Sequence, residues 1–128
     1  MPAFNVAIKA YCNAGDTIIV QTPNYPPLLA APKINGLDRT CVPTIEIEGR
    51  WTLDFAALEK AAADPKATLF IMCNPMNPVG SVLTQEEMAK VASICRKHQV
   101  LICSDEIHCD LILDDVKHLP AGAHKELT

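Results

Sequence analysis

Residues 68–80 have the sequence TLFIMCNPMNPVG, in which a continuous apolar run is ended by two Asn-Pro units and a glycine. Two similar apolar runs occur at 17–21 (TIIVQ) and 100–104 (VLICS). Unbroken apolar strands are typical of a parallel sheet that is covered by helices on both faces. Residues 68–73 and these two runs are therefore predicted to be strands of such a sheet, and the stretch 39–43 is a candidate for a fourth.

Helix start signals lie between the strand runs. Asp54 is a good N-cap for a helix over residues 55–63. Thr84 and Glu87 form a capping box, which predicts a helix that runs from there to about residue 98.

The remaining segments complete an alternation of helix and strand. Residues 2–12 place apolar side chains on one stripe, which predicts a helix. Pro26 and Pro27 can open another helix, although Pro32 would end it early. This alternation predicts an α/β fold with a mostly parallel sheet and flanking helices.

Composition restricts the classes of function. The 128 residues carry 11 Lys+Arg against 15 Asp+Glu, a net charge of −4, which argues against a nucleic-acid partner. No apolar run approaches the roughly 18–20 residues of a membrane helix, and no secretory signal is visible. The six cysteines contain no C-x-x-C pair, so we expect reduced thiols in a cytoplasmic protein. The cysteines are Cys12, Cys41, Cys73, Cys95, Cys103 and Cys109.

Four residues near strand ends are candidates for chemistry, because ligands of open parallel sheets bind at the carboxyl ends of the strands. Tyr25 follows the first strand, Asn77 lies in the rigid double Asn-Pro loop, and Asp105 and His108 follow the last strand. Asp105 can be a loop carboxylate bonded to backbone amides or a counter-charge for a cationic ligand group. Tyr25 can simply pack on the neighbouring prolines, and His108 can be structural. The spacing of Cys103, His108 and Cys109 does not favour a metal site.

Three motifs carry a resemblance to a known family. The run CNPMNPVG, with SDEIHCDL downstream and TPNYPP upstream, resembles the large domain of fold-type I pyridoxal-phosphate enzymes of the class I/II aminotransferase-like family. More narrowly, it resembles the branch of cystathionine and cysteine-S-conjugate β-lyases. The resemblance covers nearly the whole chain.

The resemblance implies a role for each candidate residue around pyridoxal 5'-phosphate. Tyr25 would stack on the pyridine ring, Asn77 would bond its phenolic oxygen, Asp105 would pair with the ring nitrogen, and His108 would lie near the phenolic oxygen. The implied reaction is α,β-elimination of a small amino-acid thioether, such as cystathionine, to a thiol, pyruvate and ammonia. The full-length enzyme is expected to be a homodimer.

The resemblance also implies that residues 1–128 are a partial large domain. The phosphate-binding part, the Schiff-base lysine and the C-terminal domain are expected outside the chain, so no catalytic residue is assigned within it and we expect no activity from it alone. Lys117 and Lys125 lie in a polar tail that does not resemble the lysine segment.

Departures from the family pattern put the substrate in question. Met76 stands where the lyase branch often has His, and Ser81 and Leu83 replace the more usual Arg and Trp. A fragment of an aminotransferase and a non-catalytic α/β binding module are the alternatives. A nucleotide-binding domain is disfavoured, because neither G-x-G-x-x-G nor a P-loop motif occurs.

Overall fold

A computed structural model describes residues 2–113 and 115–123 of the chain. The tail residue Lys125 therefore lies outside the described residues, whereas Lys117 lies within them and is exposed. The elements are, in chain order, α1 (Pro2–Tyr11), β1 (Thr17–Thr22), α2 (Pro26–Ile34), β2 (Asp38–Ile47), β3 (Arg50–Leu53), α3 (Phe55–Ala62), β4 (Ala67–Cys73), α4 (Gln85–Lys97) and β5 (Leu101–Asp105), followed by a short 3-10 turn at Ala121–Ala123.

The five strands form one sheet in the order β3-β2-β1-β4-β5. The pairs β2–β1, β1–β4 and β4–β5 are parallel, and only β2–β3 is antiparallel. The predicted α/β class with a mostly parallel sheet is thus confirmed. The chain passes from β1 to β2 on one side and later returns to β4 on the other side of β1, so the strand order reverses between β1 and β4.

Helices cover both faces of the sheet, and each face has its own apolar core. On one face, α1 and α2 pack on β1 and β4 through residues that include Phe4, Leu28 and Ile71. On the opposite face, α3 and α4 pack on the sheet through residues that include Leu58 and Phe70. Burial on both faces explains why the central strands β1 and β4 are apolar without alternation.

The predicted caps are present at the starts of α3 and α4. The Asp54 side chain accepts a hydrogen bond of 2.9 Å from the amide of Ala57. Thr84 and Glu87 bond each other's backbone amides in a complete capping box. These local signals were sufficient because each bond joins residues three apart in sequence.

Helix α2 continues through Pro32, contrary to the expectation that this proline would end the helix early. Proline removes one intrahelical hydrogen bond, but Pro32 is itself buried with Leu28 and Ala31. Packing against the sheet therefore offsets the lost bond for the short remainder of the helix.

The antiparallel hairpin β2–β3 is not among the predicted elements. Strand β2 extends well beyond the predicted 39–43, and its last residues pair with β3 through a turn in which Glu48 and Gly49 both have positive φ. The second half of β2 mixes exposed and buried positions, so it lacks the continuous apolar pattern by which the other strands were recognised.

Candidate active site at the carboxyl edge of the sheet

Three neighbouring strands bring the predicted residues to one edge. Strands β1, β4 and β5 are adjacent and parallel, so the segments that follow them leave from the same edge. Tyr25 follows β1, the loop with Asn77 follows β4, and Asp105 is the last residue of β5. Because the strand order reverses between β1 and β4, this edge is a topological switch point, which is where open α/β sheets bind ligands.

The β1–β4 ladder stops before the edge is reached. Its last paired residues are Val20 and Ile71, although β1 itself continues to Thr22. The next free amide of β4, that of Cys73, donates instead to the side-chain Oε1 of Gln21 at 3.3 Å. The Gln21 side chain therefore joins the two strands at the carboxyl edge of the sheet, where their backbone pairing has ended.

Asp105 lies on the face of the sheet that α1 and α2 cover. Side chains alternate along a strand, and Cys103 packs against the core of that face whereas Ile102 packs against the other. Asp105, two residues after Cys103, consequently shares its face. Tyr25 is the N-cap residue of α2, so Asp105 and Tyr25 lie on the same face at the same edge.

The thiol of Cys73 is near the backbone of Asn77 and the carboxylate of Asp105. Cys73 and Asp105 are register partners in β4 and β5. Burial raises the pKa of the Cys73 thiol, a hydrogen bond from the Asn77 backbone opposes that rise, and the charge of Asp105 adds to it. The backbone of Asn77 and the carboxylate of Asp105 are therefore both close to one sulfur atom.

The Asp105 carboxylate keeps one oxygen available. Its Oδ1 accepts from the amide of Ile107 at 3.2 Å, as expected for a loop carboxylate. Its main-chain oxygen accepts from the amide of Asn74 at 3.0 Å. Among the residues that the structure describes, Oδ2 has no hydrogen-bond partner, so this oxygen can accept a proton donor from a ligand.

The double Asn-Pro loop uses its two asparagines differently. Asn74 is completely buried, and its Oδ1 accepts from the amide of Leu83 at 3.0 Å across the loop. Further bonds from Met76 to Ser81 and from Gly80 to Met76 close the loop on itself. Asn77 is only partly buried. The first asparagine therefore holds the loop, and the second is presented at its surface.

The side chain of Tyr25 is exposed and does not cap α2, although Tyr25 is the N-cap residue of this helix. The residue is 45% exposed, and its side chain makes no cap hydrogen bond to α2. The preceding Asn24 is buried, and its Oδ1 accepts from the Tyr25 amide at 2.8 Å, which fixes the start of the helix. The tyrosine is thus held by its backbone while its ring remains available.

His108 lies at the same edge but is not joined to the other three residues. It belongs to a turn after β5, in which the amide of Cys109 bonds to Glu106 and that of Leu111 to His108. Within residues 2–113 and 115–123, no hydrogen bond joins its ring to Tyr25, Asn77 or Asp105. Its predicted place beside the ring oxygen of a ligand stays a prediction.

Glu106 and His118 were not among the predicted site residues, and they form a polar cluster beside Asp105. The Glu106 carboxylate accepts from Ser104, His118 and the amide of Ala121. Only the acidic pair Asp-Glu after an apolar strand could have drawn attention to Glu106, because His118 is 12 residues further on.

The described part of the chain shows no feature of a metal site or of a membrane-spanning helix. No group of three or more metal-ligating side chains occurs there. None of the described helices combines the length and apolar character that a crossing of a membrane requires. All six cysteines are free thiols.

The sequence matches the family described as aminotransferase class I and II over residues 3–126. It is 40% identical over 118 residues to the cystathionine β-lyase PatB of Bacillus subtilis, covering 92% of this chain and 30% of the relative. The chain thus spans about 30% of the length of that relative.

Solved structures agree in fold. A PLP-bound C-S lyase from Staphylococcus hominis superimposes with a TM-score of 0.90 at 30% identity, over 95% of this chain and 31% of that one. A PLP-bound putative aminotransferase from Clostridium difficile superimposes with a TM-score of 0.91 at 38% identity, over 98% and 32%. With the family match over nearly all its residues, the chain belongs to the class I and II aminotransferase family.

Proposed function

We propose that this chain forms part of a pyridoxal 5'-phosphate site in which Asp105 binds the ring nitrogen. The observation that carries the proposal is the free Oδ2 of Asp105 at the switch point of the sheet. An ionised carboxylate there would hold a ring nitrogen in its protonated form, because an opposite charge raises the pKa of the cationic group. The PLP-bound relatives support the choice of ligand.

The other predicted residues have compatible positions around such a ring. Tyr25 would stack its exposed ring on the cofactor, Asn77 would donate its side-chain amide to the phenolic oxygen, and His108 would lie near the same oxygen. When bound, the cofactor supplies a ring that withdraws electrons from the α-carbon of an amino acid. The rigid loop that carries Asn77 would hold the donor at a fixed place and exclude water.

We propose that the whole protein catalyses carbon–sulfur β-elimination on a small amino-acid thioether, releasing a thiol, pyruvate and ammonia. The similarity to PatB and to the C-S lyase structure supports this reaction. Transamination is the second candidate, which the similarity to the putative aminotransferase favours. Residues 1–128 would then be part of the large domain of a cytoplasmic homodimer.

The cofactor site can be tested without covalent attachment. Pyridoxamine 5'-phosphate has no aldehyde, so its affinity for the complete protein reports the non-covalent contacts alone. D105N should weaken this binding about 10- to 100-fold, the cost of losing a charge-assisted hydrogen bond.

The matched control is D38N, which changes an exposed aspartate at the start of β2, at the opposite edge of the sheet. Calorimetric titration should show that D38N binds like the parent. Equal affinities of D105N and the parent would refute the role of Asp105, and absence of binding by the parent would favour a non-catalytic α/β module.

The reaction itself can be decided by its co-substrate. A lyase should release pyruvate and thiol from cystathionine without a 2-oxo acid, whereas an aminotransferase should need one as the amino acceptor. Consumption of cystathionine only in the presence of a 2-oxo acid, with no release of thiol, would overturn the lyase proposal.

A further inference from the structure

The Glu106 carboxylate forms hydrogen bonds with residues from separate parts of the chain. Its Oε1 accepts from the hydroxyl of Ser104 and from the amide of Ala121, each at 2.8 Å. Its Oε2 lies 3.1 Å from Nε2 of His118. Burial raises the pKa of Glu106, but the hydrogen bonds from Ala121, His118 and Ser104 outweigh it, so the pKa lies below its usual value. The carboxylate is therefore ionised at neutral pH, with both oxygens engaged.

His118 is buried, and one of its two ring nitrogens has a hydrogen-bond partner. Its side chain is only 7% exposed, and its Nδ1 is buried without a hydrogen-bond partner within the described residues. An ionised carboxylate can only accept, so Nε2 of His118 is the donor in the bond to Glu106. The ring is oriented by this single bond.

Two residues of this hydrogen-bonded cluster flank Asp105 in the sequence. Ser104 and Glu106 are the residues on either side of Asp105, and their side chains bond each other. The bonds from Glu106 to His118 and Ala121 then hold the segment that leads into the 3-10 turn across the end of β5. The backbone on both sides of Asp105 is consequently fixed by one carboxylate.

We propose that Glu106 and His118 are a positioning pair that sets the direction of the Asp105 carboxylate. This inference rests on the proposed cofactor site, to which it adds residues that touch neither ring nor substrate. A positioning pair acts only through Asp105. Its loss should therefore weaken ligand binding only when Asp105 can form its own bond.

A double-mutant cycle tests this in the complete protein, with pyridoxamine 5'-phosphate as the ligand. E106A should weaken binding about fivefold in the parent and have no effect in the D105N background, because residues that act through one another are not additive. An equal loss in both backgrounds would show that Glu106 only stabilises the fold, and would overturn the proposal.

His118 variants provide a second, milder test in case E106A does not fold. Glutamine carries an N–H near the position of histidine Nε2, so H118Q should keep the affinity of the parent. H118L has a similar volume but no donor and should show the same loss as E106A. Equal binding by H118Q and H118L would refute the hydrogen bond's role.

The outcomes separate the two proposals. If D105N binds as the parent does, the proposed cofactor site fails. If D105N weakens binding but neither E106A nor H118L does, the cofactor site stands and the positioning pair fails.

Discussion

At the scale of single residues, the candidate site is built from side chains that the fold leaves incompletely bonded. Asp105 uses one carboxylate oxygen for the amide of Ile107, and Tyr25 is nearly half exposed. Neighbouring polar side chains already have hydrogen-bond partners within the protein. Asn74, for example, is buried and accepts a hydrogen bond from the amide of Leu83. Availability, more than residue type, distinguishes the candidate ligand-binding residues.

Tyr25 illustrates this difference in a form that can be measured. Because its exposed ring makes no cap bond, Y25A should change the free energy of unfolding by less than about 0.5 kcal/mol. It should nevertheless weaken binding of pyridoxamine 5'-phosphate by about 0.5–1.5 kcal/mol through lost stacking, whereas Y25F should bind like the parent. Tyr11 is also exposed but lies on α1, so Y11A is the control in denaturation and titration. A large loss of stability in Y25A would contradict the assignment.

At the scale of elements, the Asn-Pro loop is held from outside by the β2–β3 hairpin. Arg50 donates to Ser81 at 3.4 Å and to the carbonyl oxygen of Val82 at 3.3 Å, and it forms an ion pair with Glu87. The hydroxyl of Thr52 donates to the same carboxylate at 2.6 Å. Glu87 therefore links the hairpin, the end of the loop and the first turn of α4.

Glu87 should make the stability of the protein depend on pH. Burial raises its pKa, but bonds from Thr52, the Thr84 backbone and Arg50 outweigh this, so the folded-state pKa lies below 4.5. A lowered pKa means that the unfolded chain binds more protons in this range. The stabilisation is then complete above about pH 4.5 and is lost as the pH falls through the folded value.

E87Q keeps the capping box but loses the charge, so it should lower the free energy of unfolding by about 1–2 kcal/mol at neutral pH. It should also flatten the fall of stability in acid. Urea unfolding at a series of pH values measures both effects. The control is E86Q, which changes an exposed neighbour in the same helical turn. E86Q should change neither the stability at neutral pH nor its fall in acid. Identical unfolding curves for E87Q and E86Q would contradict the proposed contribution of the Glu87 hydrogen bonds.

At the scale of the whole molecule, the sheet ends at β5 with an open edge among the described residues. Leu101 on this strand is 45% exposed, and the following segment exposes Ile107, Leu111 and Leu113. An unpaired strand with apolar neighbours is a site for association with another chain. We expect the 128-residue chain to associate through this edge.

A charge on the edge strand should reduce this association. L101K places an ammonium group on β5, whereas V6K places one at a similarly apolar and exposed position on α1. In sedimentation experiments L101K should shift the chain toward monomer, and V6K should not. Equal behaviour of the two variants would place the contact elsewhere.

Features that depend on near neighbours in the chain could be predicted before the fold was known. The apolar runs of β1, β4 and β5, the Asp54 cap and the Thr84–Glu87 capping box need only a few consecutive residues, and the structure has them. The motifs also identified the family, because the Asn-Pro loop and the Asp105 segment are local patterns.

Features that join distant residues became apparent only from the folded chain. The strand order that creates the switch point, and the hairpin that packs on the Asn-Pro loop, depend on pairing between separated segments. Which asparagine turns inward, and the bond from Glu106 to His118, depend on contacts that no local pattern encodes. The physical reason is that a side chain becomes buried or available according to what packs against it, and that is fixed only when the whole sheet has formed.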